Sequence, residues 1–135
     1  MEPVIVWYLR MSVLYFACGS IMGVAMLLWP ENSGYYISSH VHLNLLGFMS
    51  MMIYGVGYHI LPKFSGRHIH SPGIMKVQLW LSNAGLIGMA ISWPFVAAGS
   101  AGALQTLLIL SAFLSLIAVV LFAYNILKTI KAVQM

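Results

Sequence analysis

Residues 40–62 read HVHLNLLGFMSMMIYGVGYHILP, 23 residues without a Lys, Arg, Asp or Glu. As an α-helix rising 1.5 Å per residue, this stretch is long enough to cross the ~30 Å hydrocarbon core of a bilayer. It does not alternate with period two as a barrel strand does, and an open sheet in lipid would leave amides unpaired, so a membrane helix is the consistent reading. Histidines mark both of its ends, at His40 and His42 and again at His59.

The rest of the chain has the same character. Of 135 residues, 61% are apolar and 6% are charged, with a mean hydropathy of +0.94, whereas soluble domains carry about 25% charged residues. That excludes a water-soluble globule. Turn residues cluster at Pro30 to Gly34, Pro62 to Gly73 and Ala98 to Ser100. They leave four helices at about 5–29, 40–61, 74–97 and 102–127. The expected fold is an all-α integral membrane four-helix bundle forming a single domain. Pro94, near the end of the third span, is expected to kink or terminate it.

Arg10 lies near the start of the first span, Lys63, Arg67 and Lys76 bracket the second connection, and Lys128 and Lys131 follow the fourth span. The first and third connections carry no Lys or Arg. Because basic residues are retained on the cytoplasmic side, this one-sided pattern predicts both termini and the second connection in the cytoplasm of a prokaryotic cell, in a multi-pass inner-membrane protein. The formal net charge of +4 is then a topology signal and implies no nucleic-acid partner. The first span is read as retained, being long for a signal sequence and lacking a lipobox around Phe16 to Ser20.

The acidic residues are Glu2 and Glu31 alone, which excludes chemistry built on paired carboxylates. The single Cys18 excludes an intramolecular disulfide or a cysteine-cluster metal site. Histidine is left as the chemically capable side chain. From His42 to His59 is 17 residues, about 25 Å along a helix, so the histidines form two separate groups. His40 and His42 stand two apart and point to nearly opposite sides of their helix. In an oligomer, each can enter a different subunit interface. A low-spin heme needs axial nitrogens on both faces of its iron, and a ring in which His40 of one subunit meets His42 of its neighbour supplies them. Two alternatives stand beside this reading: copper or zinc on the same imidazoles, and interfacial polar residues holding no metal.

The stretch His40-Val41-His42-Leu43-Asn44-Leu45-Leu46-Gly47, continued by Met51-Met52-Ile53-Tyr54-Gly55-Val56-Gly57-Tyr58-His59-Ile60-Leu61-Pro62, resembles the second transmembrane helix of the heme-copper oxidase subunit I superfamily, especially its nitric oxide reductase branch. In that family a histidine near the outer end of this helix ligates the low-spin heme. The catalytic subunit has twelve helices in three four-helix arcs, and this chain resembles one arc. The resemblance implies heme b, a homotrimer rebuilding the ring, and one-electron transfer or heme-linked response to a gas, with a redox partner. It leaves open which of His40 and His42 matches the family ligand. Asn44, Ser39, Tyr35 and Tyr36 are the candidate neighbours of the cofactor. The chain departs from the family pattern in lacking further outer histidines for a copper or non-heme iron, outer arginines for heme propionates, and a buried acid. A complete oxygen- or nitric oxide-reducing centre is therefore not expected, and whether the chain is an enzyme stays open.

The inner group, His59, His68 and His70 with Lys63 and Arg67, reads as a solvated basic connection that can meet lipid head groups, with a metal site as the weaker alternative. Gly19 with Gly23, and Gly85 with Gly88, are expected to bring helices close. The ten methionines read as packing. Tyr54 and Tyr58, four residues apart, are expected to line the subunit interface.

Overall fold

Pro3, Pro30 and Pro72 each sit in the first turn of a helix, where the missing N–H breaks no helical hydrogen bond and the ring presets φ. A computed structural model describes residues 1–130; Lys131, one of the basic residues counted above, lies outside them. Four helices are long and apolar enough to cross a membrane: α1 (Pro3–Leu28), α2 (Pro30–Phe64), α3 (Pro72–Ala97) and α4 (Ala103–Thr129). No strand occurs among the described residues.

α2 differs from the expectation in two respects. It starts at Pro30, ten residues before His40, so the segment expected to be a turn is helical. Gly34 does not break the helix, and the Ser33 hydroxyl donates back to the Pro30 carbonyl at 2.8 Å, closing the first turn. His40 and His42 therefore lie well inside a 35-residue helix instead of opening it. The second difference follows directly after His42, where Leu43–Ser50 is π-helical before α-helix resumes at Met51–Phe64. The Ser50 hydroxyl donates to the Leu45 carbonyl, five residues back, at 2.9 Å. Such a segment inserts extra residues into the turn and rotates the faces beyond it relative to those before.

Pro94 does not end α3, which runs three residues further to Ala97. The stop comes from the connection, where Gly99 (φ +94°) and Gly102 (φ +72°) adopt the left-handed conformation that favours glycine. At the other end of α3, the Ser71 hydroxyl accepts from the Ile74 N–H at 3.3 Å and caps the helix.

α1 lies antiparallel along α2, with Tyr15 over Gly47, Asn44 over Gly19 and His40 over Gly23. α3 covers the other side of α2; the buried Ser39 hydroxyl donates to the Ala90 carbonyl at 2.9 Å. α4 packs on α3 through Gly85 and Gly88, which meet Ser111 and Ser115. It touches α2 toward the basic end, where Phe122 stacks on Tyr54 at 4.6 Å and Tyr58 at 5.3 Å. Among the described residues α1 and α4 make no extended contact, so the helices form an open arc with α2 and α3 inside it.

Tyr54 and Tyr58 correct another expectation. They are 6% and 1% exposed within the single chain, so they form its core and do not line a surface. Tyr8 stacks against both at 6.0 Å. The Tyr58 hydroxyl donates to Gln78 Oε1 at 2.5 Å and accepts from Asn125 Nδ2 at 3.4 Å. Asn125 in turn donates to the Ser71 carbonyl at 2.9 Å and accepts from the Ser71 N–H at 3.0 Å. One phenol thus ties α2, α3 and α4 together in a medium where no water competes. Tyr58→Phe is expected to cost about 1–3 kcal/mol by leaving Gln78 without this partner. Thermal unfolding in detergent measures it, and an unchanged midpoint would contradict this account of the network.

Candidate functional site: the paired histidines of the second helix

The site is built on α2 just before its π-helical segment. His40 turns toward α1, and its Nδ1 lies 2.9 Å from the Gly19 carbonyl. A carbonyl oxygen can only accept, so Nδ1 carries a proton, and in the neutral ring Nε2 holds the lone pair. The ring fits because α1 has glycine at the facing position: a Cβ on Gly23 would stand 3.0 Å from His40 Cε1. Gly19 does the same for Asn44, whose Nδ2 would be 2.6 Å from an added Cβ. The small-residue pair on α1 is therefore a seat for the polar side chains of α2.

His42 turns the other way. Its Nδ1 is 2.7 Å from the Ser38 carbonyl one turn earlier, which in the neutral ring again leaves Nε2 with the lone pair. The ring packs on Trp93 of α3, with centroids 5.0 Å apart and planes 30° apart. Both imidazoles are half-buried. They face different neighbouring helices of their own chain, as their spacing of two residues requires.

The expected neighbours divide. Asn44 stays close, donating to the His40 carbonyl at 2.9 Å. Ser39 is drawn away, because its hydroxyl is used on Ala90. Tyr35 and Tyr36 are exposed on the first turns of α2. Tyr36 also lines an apolar groove of about 540 Å³ between the C-terminal half of α1 and the first turns of α2, with Met22, Met26 and Trp29 among its walls. Neither histidine lines this groove, although Met22 adjoins Gly23, on which His40 rests.

The inner histidines do not converge. His59 Nε2 is 3.0 Å from Lys63 Nζ, one turn along the helix. His70 lies edge-on to Tyr124 at 5.9 Å, and its backbone N–H donates to Thr129 Oγ1 at 3.0 Å. His68 is exposed. Among the described residues no three His, Cys, Asp or Glu side chains gather around a common point. A closed metal cage of the kind structural zinc takes is thus not formed by the described residues of one chain.

The π-helical segment is the feature that sequence reasoning missed. Its one local signal is Gly47, where a Cβ would come within 2.6 Å of Tyr15 Cβ and 2.9 Å of Leu86 Cδ2, so α1 and α3 close on α2 from both sides at this level.

No family model matches the chain, and no solved structure does. A curated protein, the Cbb3-type cytochrome c oxidase subunit CcoN1 of Stutzerimonas stutzeri, is 30% identical over 85 residues, 59% of this chain and 18% of that protein. The chain therefore spans less than a fifth of the relative's length. This match supports a distant, partial relation to the heme-copper oxidase subunit I superfamily, joined here to four helices able to cross a membrane.

Proposed function

We propose that the chain is a b-type heme protein of the bacterial inner membrane, a homotrimer in which each interface holds one heme between His40 of one subunit and His42 of the next. The observation that carries this reading is the matched pair of Nδ1–carbonyl contacts, which give both imidazoles the tautomer and fixed orientation that an Nε2 ligand needs. The open arc of helices agrees with it, since a bundle with two free edges has surfaces on which copies can meet. So does the partial similarity to an oxidase subunit.

The donor set suits heme. Two neutral imidazoles, His40 and His42, would hold a heme without a further protein ligand. When bound, heme supplies a one-electron couple. This chain's own residues supply the rest: Gly19 and Ser38 carbonyls hold the imidazole protons, and Trp93 packs on the His42 ring. Held by His40 and His42 together, the group would supply electron transfer before any chemistry on a gas.

Optical spectra of the detergent-purified protein, oxidised and reduced, with hemochrome quantification and mass determination, test the proposal. Low-spin bands and one heme per chain in a trimer are expected. Colourless protein with stoichiometric copper or zinc would transfer the same histidines to metal handling, and protein with neither would leave a structural subunit.

A second test leaves both ligands in place. Gly23→Leu drives a side chain into the space of the His40 ring and is expected to weaken heme retention about 10- to 100-fold, as loss of an orienting partner does. Heme titration of the variant measures it; wild-type retention would show that the seat on α1 does not orient the ligand.

A further inference from the structure

Three buried side-chain atoms among the described residues have no hydrogen-bond partner: Gln78 Nε2, Ser82 Oγ and Ser115 Oγ. The two buried hydroxyls line one small cavity, bordered by Leu46 and Tyr54 of α2, Ser82 of α3, and Ser115 and the exposed Val119 of α4, and open on one side. Ser82 is 8% exposed. The cavity leaves about 10 Å³ for the centre of a water-sized sphere, the room one water molecule needs. Its shape comes from two features already described. Gly85 lets α4 approach until the Ser115 hydroxyl lies against α3, and the π-helical turn of α2 contributes Leu46 to the wall.

An orphaned hydroxyl in a membrane bundle is destabilising, and here two face one small space without bonding each other. We propose that this cavity is a hydration site: one ordered water bridges Ser82 Oγ and Ser115 Oγ between α3 and α4, beneath the π-turn of α2. The alternative, an empty cavity, suits apolar walls and not these. Neither His40 nor His42 lines the site, which does not depend on heme being bound. It places a mobile donor and acceptor at the junction of three helices, one turn along α3 from Gln78, whose own Nε2 is unpartnered.

The sign of a stability change separates the possibilities. With a bridging water, Ser82→Ala and Ser115→Ala each strand the remaining hydroxyl and the water. Each is expected to raise the unfolding equilibrium constant about fivefold, with the double variant no worse than either. Without water, each substitution deletes an orphan, so each should stabilise and the two effects should add. Water-edited solid-state NMR of the protein in lipid supplies the direct reading: magnetisation transfer from water to both serines is expected in the wild type and lost in the double variant. Stabilising single variants, or no transfer from water, would overturn the proposal. A coupled pair of serines with no water transfer would overturn it too, in favour of a direct hydroxyl–hydroxyl bond.

Discussion

His42→Ala and His40→Ala are each expected to abolish the low-spin heme spectrum, with retention falling about 100-fold or more, beyond the loss that removing a mere orienting partner brings. The two variants should have the same effect, because under the interface model each deletes one axial ligand of every heme in the ring. Mixing them makes the model specific. A chain lacking His40 still carries His42, and a chain lacking His42 still carries His40. Where the second type precedes the first around the ring, one complete pair is restored. Random co-assembly of equal amounts should therefore recover about a quarter of the wild-type heme. Zero recovery in mixed oligomers would overturn the pairing of His40 with His42 across an interface, and unchanged low-spin bands in either single variant would remove that histidine from the ligand set.

The largest effect on stability is expected at Gly85. A Cβ there would lie 2.7 Å from the Ser111 carbonyl oxygen and 2.8 Å from the Ser115 amide nitrogen. Both are backbone atoms, which cannot swing aside as a flexible side chain does. Gly85→Leu must push α4 off α3, at a cost of about 3 kcal/mol or more, the upper end for overpacking. Since helices in lipid associate by close packing and not by the hydrophobic effect, the loss has no ready compensation. Gly34→Leu is the control, because nothing lies within 4 Å of its added Cβ. Thermal unfolding in detergent should separate the two variants widely; equal stability would mean that α3 and α4 do not meet in this register.

These expectations mark where sequence was sufficient. The four spans and the absence of a soluble core follow from hydropathy and length, because a bilayer of fixed thickness sorts segments by composition before any of them pack. The opposed directions of His40 and His42 were also legible, being a property of helical spacing alone. The histidines as chemical candidates came out by elimination, since two acids and one cysteine leave little else. What those imidazoles touch was not legible. That Gly19 and Gly23 seat Asn44 and His40, that Ser39 is spent on Ala90, and that Tyr54 and Tyr58 face inward all depend on which helix lies beside which. The same holds for the helical turns before His40 and the π-turn after His42. Local signals of Pro, Glu, Asn, Ser and Gly favour a loop at 30–34, but Pro30 is compatible with a first helical turn and the helix continues through them. Sequence alone thus determined a four-span membrane chain with histidine as its candidate ligand. Tertiary structure decided which carbonyls hold the imidazole protons and which hydroxyls are left to share a cavity, because those contacts join residues far apart in the chain through the close approach that glycine permits.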